Sequence, residues 1–156
     1  MWAGIKKALN STLGTSEFKP LDQLIAEERN LVASDNLYRY LYAGEITKYA
    51  DTTELTAFSF QSNRKGSIRL KFNAKCQSSA GQKSIRIYRN NYKVSNDITI
   101  PTAFTETDTS IDISVGKGDV ITIKAYYSVA NASLPITIRN ARICANELNI
   151  SGITIL

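Results

Sequence analysis

The sequence predicts a mainly β protein, an antiparallel jelly-roll-like β-sandwich of about eight strands preceded by a short α-helical N-terminal segment. Residues 54–156 contain short runs in which apolar and polar residues alternate, as in strands with one buried face. Turn residues separate these runs, and no helical pattern lies between them. Before Thr53 the apolar residues recur at the helical steps of three and four instead. We therefore predict a helical anchoring or oligomerisation segment at 1–50 and a β-sandwich domain at 51–156.

The predicted helical segment begins with one apolar stripe, followed by Gly14 where a C-terminal cap is expected. The stripe consists of Trp2, Ile5, Leu9 and Leu13. It is the predicted assembly interface, through which the segment would insert into a partner or self-associate. Packing of the same stripe on its own β-domain is the alternative. A second helical stripe is predicted at Leu21, Leu24, Ile25, Leu31 and Val32, and residues 37–42 fit either a short helix or a strand.

The predicted strands follow in order after Thr53. The clearest is Lys65–Cys76, in which Ile68, Leu70 and Phe72 alternate with basic residues. Residues 116–119, Gly-Lys-Gly-Asp, predict a tight hairpin connection because glycine accepts positive φ. The other strands are predicted at 54–61, 85–88, 97–100, 111–115, 120–127, 136–143 and 148–156.

Charge is unevenly distributed along the chain, whose net charge is +5. No acid occurs between Glu54 and Asp97, and five acids follow from Asp97 to Asp119. The basic residues share the polar phase of neighbouring predicted strands, so we expect one basic face. The predicted ligand or partner face consists of Arg69, Lys71, Lys75, Arg86, Tyr88 and Tyr92. The simpler interpretation is that these residues lie on solvated sheet faces, or that basic and acidic stretches pair between subunits. If the face binds a ligand, an anionic polysaccharide is the alternative. Nucleic acid is disfavoured because the sequence contains no nucleic-acid recognition signature.

Residue types that carry catalysis are sparse in this chain. Histidine is absent, which removes the commonest general base and the commonest metal ligand. No nucleophile and base pair, phosphate-binding loop or metal-ligand spacing occurs, so we predict no enzymatic activity, no cofactor and no metal site. Cys76 and Cys144 fit no redox or metal spacing and are predicted to be buried thiols. Without a membrane-length apolar run or a signal-peptide core, we expect folding in a cytoplasm and no membrane contact.

The N-terminal part carries a resemblance to a family of viral proteins. Residues 5–14, Ile-Lys-Lys-Ala-Leu-Asn-Ser-Thr-Leu-Gly, and residues 18–25, Phe-Lys-Pro-Leu-Asp-Gln-Leu-Ile, resemble a segment at the start of structural proteins of phages and prophages of Gram-positive bacteria. These are mostly tail, baseplate or fibre-associated proteins, and residues 31–36 look like a continuation of the segment. The runs at 66–72 and 115–123 are similar to β-sandwich modules of the same kind of protein.

The resemblance implies a non-enzymatic virion component that is made in the host bacterial cytoplasm without a signal peptide. It further implies contacts with other virion proteins and a homo-oligomer, a trimer being favoured, with the sandwich displayed for host-surface attachment. The alternative function is that of a carbohydrate-binding module recognising a cell-surface glycan. Its candidate aromatics are Tyr88, Tyr92, Tyr126 and Tyr127, although adjacent Tyr126 and Tyr127 should point to opposite faces of their strand.

Overall fold

The computed structural model describes residues 30–49, 52–78, 80–129, 134–146 and 153–156. These residues form ten strands and contain no helix. The strands are β1 (Leu37–Lys48), β2 (Leu55–Ser62), β3 (Gly66–Lys75), β4 (Lys83–Arg89), β5 (Tyr92–Lys93), β6 (Ile98–Thr99), β7 (Thr109–Val115), β8 (Val120–Tyr127), β9 (Ile136–Ala145) and β10 (Ile153–Ile155). The first predicted helix, with Trp2, Ile5, Leu9 and Leu13, lies outside the described residues.

The strands form two antiparallel sheets packed as a sandwich. One sheet has four strands in the order β1-β9-β3-β7, and the other has six, in the order β10-β2-β8-β4-β5 with β6 beside β4. Apart from β4, β5 and β6, strands that follow one another in the chain lie in opposite sheets. The two antiparallel sheets confirm the predicted β-sandwich. The alternation also separates residues that are close in sequence onto opposite sides of the molecule.

The core between the sheets is built mainly from isoleucine side chains. Those that are fully buried are Ile68, Ile85, Ile87, Ile121, Ile123, Ile136, Ile138 and Ile143. Isoleucine suits this position because its branched side chain packs well on a pleated surface, and each buried one contributes about 1.5–3 kcal/mol. Tyr127 is buried and its hydroxyl donates to the Ala80 carbonyl at 2.7 Å, while Tyr126 faces outward beside Arg86. Their predicted opposite orientation is confirmed.

The boundary predicted at residues 50–51 needs correction for residues 30–49. Residues 37–42 are not helical but belong to β1, which continues through Gly44 and pairs with β9 in the four-stranded sheet. Leu31, predicted on a second helical stripe, is extended and buried, and its carbonyl accepts from the Ser67 amide at 2.8 Å. The backbone of Leu31 and the backbone at the start of β3 therefore satisfy each other's hydrogen-bonding groups. The described part of the segment 1–50 thus belongs to the sandwich.

The turn predicted at 116–119 is present, but it is not a hairpin. Gly118 has φ of +88°, and the Gly116 amide donates to the Asp119 carboxylate at 2.6 Å, as a tight turn requires. The two strands that it joins, β7 and β8, lie in opposite sheets and do not pair. A glycine-rich turn fixes the reversal of the chain but leaves open whether the next strand stays in the same sheet.

Both cysteines are free and buried, as predicted, and Cys76 belongs to the core between the sheets. Among the described residues, no helix has the length and apolar character needed to cross a membrane.

Candidate functional site

The basic face predicted from the sequence is divided between the two sheets. Arg69, Lys71 and Lys75 lie in β3 of the four-stranded sheet. Arg86 and Tyr88 lie in β4 of the six-stranded sheet, and Tyr92 in β5 at the edge of that sheet is 80% exposed. The prediction of one face is wrong because β4 crosses to the opposite sheet after β3, so that their polar phases point in opposite directions.

The outer face of the six-stranded sheet carries an internally satisfied set of charges, which we call the Arg86 network (Glu54, Arg86, Tyr88, Asp97 and Tyr126). The Arg86 guanidinium donates to both oxygens of Asp97 at 2.9 and 2.7 Å and to Glu54 at 2.8 Å, while it stacks on Tyr126 at 3.6 Å. The Tyr88 hydroxyl donates to Glu54 at 2.6 Å. The bond from Arg86 lowers the pKa of Asp97 to about 2. Since these groups already bind one another, the predicted ligand residues Arg86 and Tyr88 have a structural role.

One half of the outer face of the four-stranded sheet is covered by the connection between β6 and β7. The Phe104 ring lies 4.4 Å from the Lys75 Nζ and 3.8 Å from the Arg139 guanidinium. Thr105 donates to the Asn73 side chain at 3.0 Å and holds the connection in place. Lys75 is therefore occupied by a cation–π contact rather than presented to a ligand.

The other half of this face is an open cleft with a volume of about 410 Å³, which we call the tyrosine cleft. Its lining residues are Asp35, Tyr38, Tyr40, Lys71, Asp108, Asn140, Arg142 and Cys144. Lys71 is the single residue of the predicted face that lines it. The cleft lies across β1, β9 and β3, with one carboxylate from the segment before β1 and another from the connection before β7.

Two exposed tyrosines form one wall of the tyrosine cleft. Tyr38 and Tyr40 are two residues apart in β1 and so share one side of the strand. Tyr38 is 58% exposed and Tyr40 is 40% exposed, and their rings meet edge to face, with centroids 5.3 Å apart and planes at 77°. This arrangement is favourable for aromatic pairs and fixes the two rings in relation to each other. The result is a pre-formed apolar surface that faces solvent.

A β-bulge in the middle of β9 shapes the floor of the cleft. Asn140 has φ of +55°, and the pairing of β9 shifts register there on both sides, against β1 and against β3. Asparagine tolerates this left-handed conformation better than most residues, and a bulge redirects the side chains that follow it. After the bulge, Arg142 lies between Tyr40 of β1 and Lys71 of β3. The bulge thus brings Asn140 and Arg142 together at the cleft.

The charges of the cleft are arranged as two ion pairs. Asp35 accepts from Lys71 at 3.1 Å and, with its other oxygen, from Arg69 at 3.1 Å. Arg142 forms an ion pair with Asp108. The bond from Lys71 lowers the pKa of Asp35, so this carboxyl is ionised at neutral pH. Among the described residues, two cations and two anions line the cleft, which therefore offers many hydrogen-bonding groups whose charges balance.

Cys144 completes the floor of the cleft beside Arg142. The residue is 2% exposed, and burial raises the pKa of its thiol. The group is therefore a protonated, poorly nucleophilic side chain at neutral pH. Among the described residues, no group of three or more Cys, Asp or Glu side chains is arranged to hold a metal ion.

Sequence reasoning did not single out most of the cleft. The one available signal was the period-two order Leu37-Tyr-Arg-Tyr-Leu-Tyr42, which places Tyr38 and Tyr40 on one side if the segment is a strand. Asp35, Asp108 and the β9 residues Asn140 and Arg142 come from three separate segments that only the folded topology brings together.

Comparison with known proteins yields structural neighbours alone. The sequence matches no established protein-family model and no curated protein. A family 35 carbohydrate binding module from an environmental isolate superposes with a TM-score of 0.47 at 16% identity, covering 82% of this chain and 90% of that chain. A family 35 module from Paenibacillus barcinonensis gives 0.42 at 15% identity (78% and 96% covered), and one from Clostridium thermocellum gives 0.39 at 12% identity (72% and 95% covered). Likeness at this level assigns no residue or ligand to the present chain.

Proposed function

We propose that this protein binds a glycan in the tyrosine cleft, with no chemical conversion of the ligand. The observation that carries the proposal is the pair of exposed tyrosine rings set beside two ion pairs on a pre-formed sheet surface.

The chemistry of a sugar ring suits both parts of the cleft. A sugar presents C–H groups on its faces, which bury apolar area when they lie on an aromatic ring. Around its rim it presents hydroxyls, which require fixed donors and acceptors when they leave water. Tyr38 and Tyr40 provide the ring surface, and Asp35, Lys71 and Arg142 provide the polar groups. A small number of placed polar groups beside an apolar surface is the usual composition of a ligand site.

The ionisation of the cleft supports binding without catalysis. Hydrolysis of a glycosidic bond uses one carboxyl group that is still protonated at the working pH. The pKa of that carboxyl group must therefore be raised, commonly by burial. The pKa of Asp35 is instead lowered by its hydrogen bond from Lys71. Asp108 is held by Arg142 and by the Asn73 amide. Both carboxylates are therefore engaged as acceptors.

Removing either ring from the cleft tests the proposal. We expect Tyr38→Ala and Tyr40→Ala each to weaken binding to glycans about tenfold, since ring stacking contributes roughly 1–1.5 kcal/mol. Binding is first found on an array of cell-surface glycans and then measured by calorimetry. Tyr92→Ala is the matched control, because Tyr92 is 80% exposed but lies in the other sheet. Unchanged affinity in both cleft variants, with loss in Tyr92→Ala, contradicts the proposal.

A place in a virion is a second proposal, and it is compatible with the first. It rests on residues 5–25, which resemble the start of phage structural proteins and lie outside the described residues. In that setting the N-terminal segment would assemble the particle, and the tyrosine cleft would attach it to a host-surface glycan. The solution mass of the protein with and without residues 1–29 tests the assembly role: the same number of chains per particle in both contradicts it.

A further inference from the structure

We propose that Asp35 restricts the tyrosine cleft to uncharged glycans and excludes those that carry carboxylates. This inference rests on the proposed glycan binding and adds to it the class of ligand. It follows from how Asp35 is held and from what it neutralises.

The position of Asp35 is fixed although the residue lies outside any strand. Four residues earlier, Leu31 is buried and its amide donates to the Lys65 carbonyl at 2.9 Å. The Ala33 amide donates to the Ser67 hydroxyl at 3.0 Å. Segment 31–36 is therefore fastened along the start of β3, and Asp35 projects over the basic residues of that strand.

Without Asp35 the cleft would hold an excess of positive charge. Lys71 has Asp35 as its carboxylate partner at 3.1 Å. Arg69 has a second partner, because its guanidinium also donates to both oxygens of Asp112 at 2.7 and 3.0 Å. Asp35 is thus the residue that neutralises Lys71 within the cleft, while Asp112 neutralises Arg69 beside it.

An anionic sugar would have to compete with this carboxylate. The side chain of Asp35 is 56% exposed and stands at the cleft, so a ligand carboxylate approaching Lys71 meets a like charge. The repulsion acts across the neutral pH range, because a carboxyl with an ordinary pKa of 3.8 is already ionised there and the bond from Lys71 lowers the pKa of Asp35 further. A neutral sugar meets no such repulsion and can donate its hydroxyls to the free lone pairs of the same carboxylate.

The change Asp35→Asn separates charge from shape. The amide keeps the size of the side chain and removes its charge, which leaves Lys71 free to pair with a ligand carboxylate. We expect Asp35→Asn to gain about tenfold or more in binding to uronate-bearing glycans relative to neutral ones. The gain should diminish between about 50 and 500 mM NaCl, because screening weakens an exposed ion pair. Asp112→Asn is the matched control, since Asp112 also pairs with Arg69 but does not line the cleft.

The experiment applies the full-length protein to a glycan array. The array carries neutral glycans and matching glycans in which the same sugar chain bears uronic acids. Wild type should retain the neutral members, Asp35→Asn should acquire the uronates, and Asp112→Asn should behave as wild type. The inference fails if wild type binds uronate-bearing glycans as well as it binds neutral ones. It also fails if wild type binds neutral glycans but Asp35→Asn gains no affinity for uronate-bearing ones. In both cases the proposed glycan binding still stands. If neither protein retains any glycan, both proposals fall. Thermal unfolding of each variant confirms that the comparison is between folded proteins.

Discussion

Several carboxylates in the connections of this protein pair with basic residues on the outer faces of the strands. Asp97 illustrates the principle, because it accepts two bonds from Arg86 and a further contact from Lys93 while its side chain is one-fifth exposed. Half-buried ion pairs of this kind stabilise the fold more than fully exposed pairs, in which water screens the attraction. Their desolvation also costs less free energy than that of a fully buried pair.

The pairing of Asp97 predicts a stability that depends on pH. The folded pKa is about 2, below the ordinary value of 3.8, so the folded state favours the ionised carboxylate. The resulting stabilisation is complete above about pH 4 and is lost as the pH falls toward 2. We expect Asp97→Asn to lower the free energy of unfolding by about 1–2 kcal/mol at pH 7, with the difference from wild type shrinking below pH 4.

Urea denaturation of both proteins at several pH values measures this difference. Asp112→Asn is the control, because the side chain of Asp112 is 50% exposed and its pairing with Arg69 should contribute less. A difference for Asp97→Asn that stays constant down to pH 2 would contradict the account.

At the level of elements, β3 and β1 differ in how well the sequence predicts them. β3 is central in its sheet, with neighbours on both sides, and buries every second side chain, so its alternation is regular. Among the described strands, β1 lies at the edge of the four-stranded sheet and pairs with β9, and most of its residues are exposed. The two register shifts of β1 against β9 follow Tyr40, so the period-two order of residues 37–42 does not continue along the strand, and so short a run fits two structures.

The position of β1 predicts where the chain can be shortened. A chain of residues 30–156 should keep its fold, because Leu31 and the whole of β1 are retained. A chain of residues 51–156 should lose cooperative unfolding, because it removes Leu31 and Leu41 from the core at about 2–5 kcal/mol each and leaves β9 unpaired on one side. Circular dichroism during heating compares the two. A cooperative transition for 51–156 at the temperature of 30–156 would show that β1 is dispensable.

The cleft shows a different limit of sequence reasoning. Lys71 was identifiable from the alternation of β3, whereas Asn140 was not, because a bulge depends on the register of β9 against two neighbours. The error in the basic face has the same origin: alternation gives the side of a strand, but the choice of sheet for β4 is set by long-range pairing. Local pattern therefore predicted the sandwich and most of its strands, but it left β1 undecided and could not predict which polar residues would meet.

For the whole molecule, the two outer faces have different roles. On the six-stranded sheet, Arg86 of β4 pairs with both Glu54 and Asp97, and this pairing occurs within one chain. On the four-stranded sheet, the bulge and the tyrosine pair leave an open cleft of about 410 Å³ beside paired charges. Several residues of the basic stretch thus pair with residues of the acidic stretch within the fold, as Arg69 does with Asp112 and Arg86 with Asp97. The tyrosine cleft is aromatic and polar, with paired charges.

An amide NMR titration with the neutral glycan that binds best on the array tests the central claim most directly, since it reports which face receives the ligand. The account predicts chemical-shift changes concentrated at the backbone amides of Tyr38, Tyr40, Lys71 and Arg142, with those of Arg86 and Tyr92 unmoved. Changes concentrated at Arg86, Tyr88 and Tyr92, with the amides of the tyrosine cleft unmoved, would contradict it.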